Sequence, residues 1–239
     1  MQQDAEALIF DGDDTLWHVE FLYDEARSEC RAIVEGEGID GAAWENLERR
    51  IDVGNVASFG MSRRRFPASC VEAYRLMVHE AGSSPLGALE QRLEQVAGSV
   101  FRRQAALDPS AEAVLRELAT THRLALLTKG DEDVQLKRIA DSGLASMFER
   151  AEIVAAKTSS EFSGLLRGLG VSADHAWSIG NSLPSDINPA LSLGMAAIWI
   201  DAHVWEHERR ETEVLSGRLF EVPTLLGVPS IIAAHHRVA

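Results

Sequence analysis

The chain has 239 residues, of which 46% are hydrophobic and 25% are charged, an ordinary globular composition. Its 37 Asp and Glu residues outnumber its 23 Lys and Arg residues, so the formal net charge is −14. This composition argues against a disordered chain and against a general binder of nucleic acids or anionic membranes. The length fits one large α/β domain or a core with a smaller companion domain.

The cysteine content and the N-terminus indicate the cellular environment. Two cysteines, Cys30 and Cys70, are too few for a disulfide scaffold or a cluster of metal-binding thiolates. Residues 1–6 lack a signal-peptide pattern, and no window of the sequence contains the ~18 apolar residues that a membrane span needs. We therefore expect a cytoplasmic protein without a membrane partner.

Five short apolar runs predict the strands of a parallel sheet, because strands covered on both faces read as continuous apolar segments. The runs lie at residues 7–10, 124–127, 153–155, 176–179 and 196–200. Helix signals separate the later runs: Asp108-Pro109 resembles a helix start, and Thr158 and Glu161 have capping-box spacing. This alternation predicts an α/β fold with a doubly wound, Rossmann-like parallel sheet.

Residues 17–106 interrupt the alternation and contain no convincing strand. Four segments instead repeat apolar residues at helical spacing, in stripes that begin at Leu22, Trp44, Val71 and Leu86. Each stripe needs a partner to bury it. We therefore predict an all-helical domain at 17–106, inserted into a core formed by 1–16 and 107–239.

The strongest chemical signal follows the first predicted strand. Asp11 ends that strand, Asp13 lies two residues further on, and Thr15 supplies a hydroxyl. Side chains just beyond the carboxyl ends of parallel strands line the ligand crevice of an open α/β sheet. Two carboxylates there repel each other unless a cation or a proton lies between them, which favours a hard divalent metal. An acidic turn without further function is the alternative.

Later predicted strands end in further polar residues. Thr128 and Lys129 close the second strand, Lys157 precedes a helix, and Asn181 and Asp186 follow the fourth strand. Taken singly, these residues have ordinary explanations: a strand-ending hydroxyl, a solvated lysine or a helix cap. Because the carboxyl ends of parallel strands meet at one edge, their order along the chain indicates a single site.

The ordered motifs resemble those of the haloacid dehalogenase (HAD) superfamily, specifically its phosphatase branch. The first family motif, DxDx(T/V), matches Asp11, Asp13 and Thr15. The second motif, a Ser or Thr that ends a strand, matches Thr128, and the third, a Lys, matches Lys157. The resemblance in organisation covers nearly the whole chain.

The fourth family motif is matched only in part. It is usually written GDxxx(x)D, and the chain has Gly180 and Asp186 but carries Asn181 where Asp is common. The helical insert between the first and second motifs looks like the C1-type cap of the family. Asn at this motif is also found in the dehalogenases of the superfamily, which need no metal.

The resemblance implies a chemical role for each matched residue. Asp11 would attack a phosphoryl group and become an aspartyl phosphate. Asp13 would act as general acid for the leaving oxygen and then as general base for water. Thr128 would bind phosphoryl oxygens, and Lys157 would offset the negative charge that accumulates between nucleophile and phosphate.

The resemblance also implies a Mg²⁺ cofactor. Its ligands would be Asp11, the main-chain carbonyl of Asp13, and Asp186 or Asn181. An amide oxygen contributes one negative charge fewer than a carboxylate, so Asn181 should lower metal affinity.

Substrate contacts are expected from Lys129, beside Thr128, and from Arg64. Arg64 belongs to a basic run at 63–65 in the predicted cap, where a guanidinium would pair with a second anionic group of the substrate. A solvated basic helix start is the alternative explanation for this run.

These observations favour a Mg²⁺-dependent phosphatase that hydrolyses a small phosphomonoester. A metal-independent 2-haloacid dehalogenase that uses the same Asp11 is one alternative, and a catalytically weak HAD-fold binding protein is another. In dehalogenases another residue replaces the acid/base Asp, so Asp13 favours phosphoryl transfer. The sequence leaves the substrate, the pathway and the oligomeric state open.

Overall fold

The computed structural model describes residues 6–201 and 217–235. The chain divides into two compact units, one formed by Met1–Val19 and Ala105–Ala239 and the other by Glu20–Gln104. The boundaries thus fall at 19/20 and 104/105, where the sequence predicted 16/17 and 106/107. The shift arises because residues 17–18 and 106–107 pair with each other as short antiparallel strands within the first unit.

The first unit is built on a six-stranded parallel sheet flanked by helices, so the predicted α/β class is confirmed. The strands of the described residues are β1 (Ala7–Phe10), β2 (Trp17–His18), β3 (Ala106–Leu107), β4 (Arg123–Lys129), β5 (Arg150–Val154), β6 (Ala176–Gly180), β7 (Ala196–Ile200) and β8 (Leu219–Val222). The sheet order is β5-β4-β1-β6-β7-β8, and every neighbouring pair is parallel.

This strand order determines where a ligand would bind. Renumbering the six sheet strands in chain order converts the order to 3-2-1-4-5-6, that of a Rossmann fold. The order reverses between β1 and β6, where Ile9 of β1 pairs with Ser178 of β6. In such sheets, ligands bind in the crevice beyond the carboxyl ends of the strands at this reversal.

The two strands at the edges of the sheet differ from the sequence-based expectation. β5 begins at Arg150 rather than Ile153 and ends before Ala155, and β8 was not predicted. Both are partly exposed and carry Glu residues among their apolar ones. A continuous apolar run identifies strands covered on both faces, so it misses strands at the edge of a sheet.

The helices of the first unit include the capping box that the sequence predicted. They are α5 (Ala111–Leu118), α6 (Glu132–Ser142), α7 (Ser159–Leu169), α8 (Asn188–Ser192) and α9 (Val228–His235). The amide of Thr158 donates to Glu161 at 3.0 Å, and the Thr158 hydroxyl accepts from the amide of Ser160 at 3.2 Å. These bonds begin α7 directly after Lys157, so they fix the backbone that carries this lysine.

The second unit, described throughout, contains helices and no strand. Its helices are α1 (Glu20–Gly36), α2 (Gly41–Phe59), α3 (Arg65–Glu80) and α4 (Gly87–Ala97). They bury one apolar cluster that includes Trp44 and Leu93 together with both free cysteines, Cys30 and Cys70. No helix in the described part of the chain combines the length and the low polarity that crossing a bilayer requires.

The second unit also buries an ion pair. Arg27 of α1 donates through Nε to Glu48 Oε2 of α2 at 2.8 Å, and the side chain of Glu48 is 0% exposed. Among the described residues, Glu48 Oε1 has no hydrogen-bond partner. Burial raises the pKa of Glu48 to about 7, because the attraction of Arg27 offsets only part of the lost solvation.

The pH dependence of stability should reveal this buried carboxyl group. In the unfolded chain Glu48 releases its proton near its ordinary pKa of 4.5, whereas in the folded protein it does so near 7. Between these values the folded state binds more protons, so the free energy of unfolding falls as the pH rises. Gln cannot release a proton. Across this pH range, the free energy of unfolding of Glu48→Gln should therefore decrease by about 1–3 kcal/mol less than that of the wild type.

The measurement is urea denaturation of wild type and variant across this pH range. Glu45→Gln, on the same helix, is the matched control. Burial alone would raise the pKa of Glu45, but hydrogen bonds from Arg49 and Arg31 lower it overall. Ionisation of Glu45 therefore makes the free energy of unfolding rise with pH, opposite to the effect of Glu48. Parallel stability curves for wild type and Glu48→Gln would contradict the shifted pKa.

Candidate active site

The turn after β1 carries two of the predicted site residues, Asp11 and Asp13. The amide of Asp11 donates to the carbonyl of Ile179 in β6 at 2.9 Å, which anchors it at the carboxyl edge of the sheet. The carbonyl of Gly12 then accepts the amides of three residues that follow, including that of Trp17 at 3.2 Å. A Cβ atom at Gly12 would lie 2.4 Å from the Trp17 ring, so this tight turn requires glycine.

The ammonium group of Lys157 joins two carboxylates from different loops. Lys157 Nζ donates to Asp11 Oδ1 and, at 2.6 Å, to Asp186 Oδ1. Asp11 follows β1, Lys157 precedes α7 and Asp186 follows β6. The structure therefore brings together three of the predicted residues, with only 2% of the lysine side chain exposed. Such charges are costly to bury unless they are paired and hydrogen-bonded.

Asp186 is held by a short π-helical turn, Leu183–Ile187. Its Oδ2 accepts the amide of Ser182 at 2.9 Å, and the Ser178 hydroxyl donates to its main-chain carbonyl at 2.7 Å. A Cβ atom at Gly180 would lie 2.3 Å from Asp186 Oδ2. The glycine of the fourth sequence motif thus makes room for the carboxylate of that motif.

The protonation behaviour of the cluster follows from its burial. Burial raises the pKa of Asp11 to about 7; attraction to Lys157 opposes the shift, and repulsion from Asp186 and Asp13 adds to it. Burial alone would lower the pKa of Lys157, but its two carboxylate partners outweigh burial and raise it above its ordinary value. Lys157 is therefore a permanent cation, and an additional positive charge nearby would favour ionised Asp11.

Asp13 has a different environment from Asp11. Its Oδ1 accepts from Trp17 Nε1 at 2.7 Å, while its Oδ2 accepts from Gln135 Nε2 at 2.9 Å and from Arg138 Nη1. About a quarter of its side chain is exposed, 24%, whereas Asp11 is buried. Asp13 thus combines fixed hydrogen bonds with access to solvent.

Gln135 and Arg138 of α6 were missed by the sequence analysis. Both are buried. The signal in the sequence was weak: two polar residues, three positions apart, among the apolar residues Val134 and Ile139 on the buried side of a helix. Nothing local in the sequence connects them to Asp13, which lies more than 120 positions earlier.

Thr128 and Lys129 also lie at this edge of the sheet, at the end of β4. The Thr128 hydroxyl donates to Gln135 Oε1 at 3.2 Å, and the Lys129 carbonyl accepts from Gln135 Nε2 at 3.1 Å. Lys129 Nζ donates to Ser185 Oγ of the π-helical turn at 2.7 Å. Two of the three predicted substrate-binding residues, Thr128 and Lys129, therefore form hydrogen bonds within the same unit as Asp13.

The remaining predicted residues, Asn181 and Arg64, are placed differently. Asn181 is buried at the end of β6, and its carbonyl accepts from Trp199 Nε1 at 2.9 Å. Arg64 belongs to the second unit, where it is exposed just before α3 with its guanidinium 6.0 Å from the centre of the Phe59 ring. A contact of Arg64 with substrate stays a prediction.

The oxygen atoms at this edge suit a hard cation. No group of three or more His, Cys, Asp or Glu side chains within residues 6–201 and 217–235 is arranged to hold a metal. The donors here are of another kind: two buried carboxylates, Asp11 and Asp186, that share one ammonium group. When both carboxylates are ionised, they and the lysine together carry a net charge of −1. Oxygen donors of this type fit a Mg²⁺ ion that retains several of its water ligands.

Comparison with known proteins gives one curated relative by sequence. A phosphoserine phosphatase from Thermus thermophilus is 32% identical over 136 residues, which cover 54% of this chain. The chain matches about half of the length of that relative, 53%. No protein-family model matches the chain.

Solved structures match almost the whole chain. A haloacid dehalogenase-like family hydrolase from Xanthomonas campestris has a TM-score of 0.78 and 25% identity, and the match covers 96% of this chain and 95% of the other. The chain belongs to the haloacid dehalogenase superfamily. The proteins that the chain matches include a phosphatase and haloacid dehalogenases, so membership leaves the specific reaction open.

Two further HAD structures share the fold at lower identity. The hydrolase YfnB from Bacillus subtilis, solved with bound magnesium, has a TM-score of 0.64 and 21% identity, covering 95% of this chain and 98% of its own. L-2-haloacid dehalogenase from Xanthobacter autotrophicus has a TM-score of 0.62 and 18% identity, covering 96% and 98%.

Replacing Lys157 with Met tests the buried charge cluster of this HAD protein. The substitution leaves Asp11 and Asp186 buried and close together without their shared cation. Removal of one partner from a buried ion pair costs about 3–5 kcal/mol. We expect Lys157→Met to lower the free energy of unfolding by about this amount in urea denaturation at neutral pH without divalent cations.

The matched control is Lys137→Met, which removes an exposed lysine that pairs with Asp141 on α6. Its effect should stay within about 0.5 kcal/mol, since surface ion pairs contribute little. Equal stability of the two variants would show that the carboxylates do not depend on the Lys157 ammonium group.

Proposed function

We propose that this protein is a Mg²⁺-dependent phosphatase that hydrolyses a small phosphomonoester through an aspartyl phosphate on Asp11. The observation that carries the proposal is the ammonium group of Lys157, bonded to Asp11 and Asp186 at the carboxyl edge of the sheet. A second carboxylate, Asp13, lies two residues from Asp11 and has access to solvent. Together they supply a nucleophile, a fixed positive charge and a proton carrier.

In the first step, one Asp11 oxygen attacks phosphorus while the bond from phosphorus to the leaving oxygen breaks. The product is an aspartyl phosphate. Attack of one anion on another is strongly disfavoured, and the positive charge of Lys157 offsets this repulsion. Burial of Lys157 strengthens the effect, because little water screens its charge.

Asp13 would handle the proton in both steps. It would donate a proton to the departing oxygen, then accept one from the water that attacks the phosphorus of the aspartyl phosphate. The second step releases inorganic phosphate and restores the Asp11 carboxylate. The Thr128 hydroxyl, now donated to Gln135, would turn to a phosphoryl oxygen when substrate binds.

Mg²⁺ would add positive charge at the phosphoryl oxygens when bound. The residues that would hold it are Asp11, Asp186, Asn181 and the main-chain carbonyl of Asp13. Lys129 would bind the rest of the substrate, and a substrate contact of Arg64 stays a prediction from the sequence. Phosphoserine is the first substrate to test, since the curated relative from Thermus thermophilus is a phosphoserine phosphatase.

A panel of phosphomonoesters assayed with Mg²⁺ tests the proposal. The panel includes phosphoserine and an aryl phosphate, and the measurement is release of inorganic phosphate. We expect Asp11→Asn to lower kcat/KM by at least about 1,000-fold, because it removes the nucleophile. Asp141→Asn, which changes an exposed aspartate on α6, is the matched control and should retain activity.

Two results would overturn the phosphatase proposal in favour of its rivals. Release of chloride from 2-chloropropanoate in the presence of a chelator, lost in Asp11→Asn, would identify a dehalogenase. Binding of phosphomonoesters with neither turnover nor a trapped aspartyl phosphate would identify a binding protein.

Asn181→Asp tests the metal ligands separately. The substitution adds one negative charge at the fourth motif, and ligand charge is a main determinant of affinity for hard cations. We expect the Mg²⁺ concentration at half-maximal activity to fall by about tenfold. Unchanged Mg²⁺ dependence would exclude Asn181 as a ligand and leave Asp11 and Asp186 as candidates.

A further inference from the structure

We infer that Gln135 and Arg138 of α6 are positioning residues that anchor Oδ2 of Asp13 and leave Oδ1 to exchange the proton with leaving group and water. The inference rests on the proposed function, because it assigns a task to the proposed acid/base residue. Neither residue belongs to the four sequence motifs, and each acts through Asp13 rather than on substrate.

The hydrogen bonds of Asp13 distinguish its two oxygens. Oδ2 accepts from both Gln135 Nε2, at 2.9 Å, and Arg138 Nη1. Oδ1 accepts from Trp17 Nε1 at 2.7 Å. A carboxylate oxygen has two lone-pair directions, so two donors fill Oδ2, while Oδ1, with one donor, can accept a second bond or a proton. The geometry therefore assigns Oδ2 as the anchor and Oδ1 as the working oxygen.

The donors themselves are well fixed. Gln135, Arg138 and Trp17 are all buried, whereas Asp13 is partly exposed. A buried guanidinium is costly, and apolar residues of similar volume often stabilise a fold at least as well as a buried ion pair does. Stability alone thus gives a weak reason for Arg138, whereas a fixed orientation of Asp13 gives a direct one.

Gln135 links Asp13 to the end of the neighbouring strand. Its Nε2 also donates to the Lys129 carbonyl at 3.1 Å, and its Oε1 accepts the Thr128 hydroxyl at 3.2 Å. Because the Asp13 carboxylate and the Lys129 carbonyl only accept, the orientation of the amide is determined. When a phosphoryl oxygen draws the Thr128 hydroxyl away, the Lys129 carbonyl still holds Gln135 against Asp13.

The dependence on leaving group separates positioning from a merely structural role. A good leaving group such as nitrophenolate departs without a proton, whereas an alkoxide needs one from Asp13. A misplaced Asp13 should therefore slow the hydrolysis of alkyl phosphates far more than that of nitrophenyl phosphate. General loss of structure would slow both substrates by similar factors.

The experiment measures kcat/KM of wild type, Arg138→Met, Arg138→Lys and Gln135→Leu with nitrophenyl phosphate, phenyl phosphate and an alkyl phosphate. We expect Arg138→Met and Gln135→Leu to lower the rate on the alkyl phosphate by about 100-fold and the rate on nitrophenyl phosphate by less than about tenfold. Arg138→Lys should recover part of the loss, since lysine restores a charged donor without the planar geometry. Asp13→Asn gives the reference pattern for complete loss of the acid.

The second step supplies an independent readout. Without a positioned base, the aspartyl phosphate should decay more slowly. With nitrophenyl phosphate, which needs no proton for its formation, acid quench should therefore trap more of it in Arg138→Met and Gln135→Leu than in wild type. The control is Arg116→Met, which breaks an exposed ion pair on α5 and should behave as wild type in both assays. Thermal unfolding of each variant identifies any that fail to fold. If Arg138→Met does not fold, Gln135→Leu still tests the inference.

The outcomes separate the inference from the function on which it rests. If the wild type hydrolyses phosphomonoesters and the variants slow all leaving groups equally, or none, the positioning role is overturned while the phosphatase remains. If the wild type neither releases phosphate nor forms an aspartyl phosphate, both the proposed function and the positioning role fall.

Discussion

The ammonium group of Lys157 is the interaction on which the arrangement of the site depends. It lies within hydrogen-bonding distance of Asp11 and Asp186, two buried carboxylates that would otherwise repel each other. Because Asp11 follows β1 and Asp186 follows β6, the lysine joins the two strands that flank the reversal of sheet order. The buried ion pairs therefore lie at the position where the strand order of the sheet reverses.

The two aspartates of the first motif have identical side chains but different environments. Asp11 is buried, and burial raises its pKa to about 7 despite the neighbouring lysine. Asp13 is partly exposed, with donors on both of its oxygens. The two carboxylates thus lie in contrasting surroundings, although only one residue separates them in the sequence.

Membership of the HAD superfamily limits the set of candidate reactions but does not determine which of them this protein catalyses. The solved structures that share this fold include a hydrolase with bound magnesium and a haloacid dehalogenase. Both classes are served by one sheet architecture, so the distinction must come from side chains at its carboxyl edge. Under the proposed function, the side chains of this chain that would decide between the two reactions are Asp13 and Asn181.

Much of the fold was accessible from sequence because its signals are local. The apolar runs at 7–10, 176–179 and 196–200 were identified to within a residue, as was the capping box that begins α7. The edge strands β5 and β8 were misplaced or missed. Their partial exposure removes the continuous apolar run on which strand prediction relies.

The sequence by itself determined that polar and acidic residues stand at the ends of successive strands, which is sufficient to predict one site at one edge. Only the tertiary structure decided which of them meet. Lys157 is 146 residues from Asp11, and no local pattern reports that its ammonium group also reaches Asp186. The same holds for Gln135 and Arg138, whose contact with Asp13 depends on where α6 lies at the carboxyl edge of the sheet. Hydrophobic periodicity and capping residues determine the helices and strands locally. The partners of a buried charge, in contrast, depend on the order of the strands in the sheet.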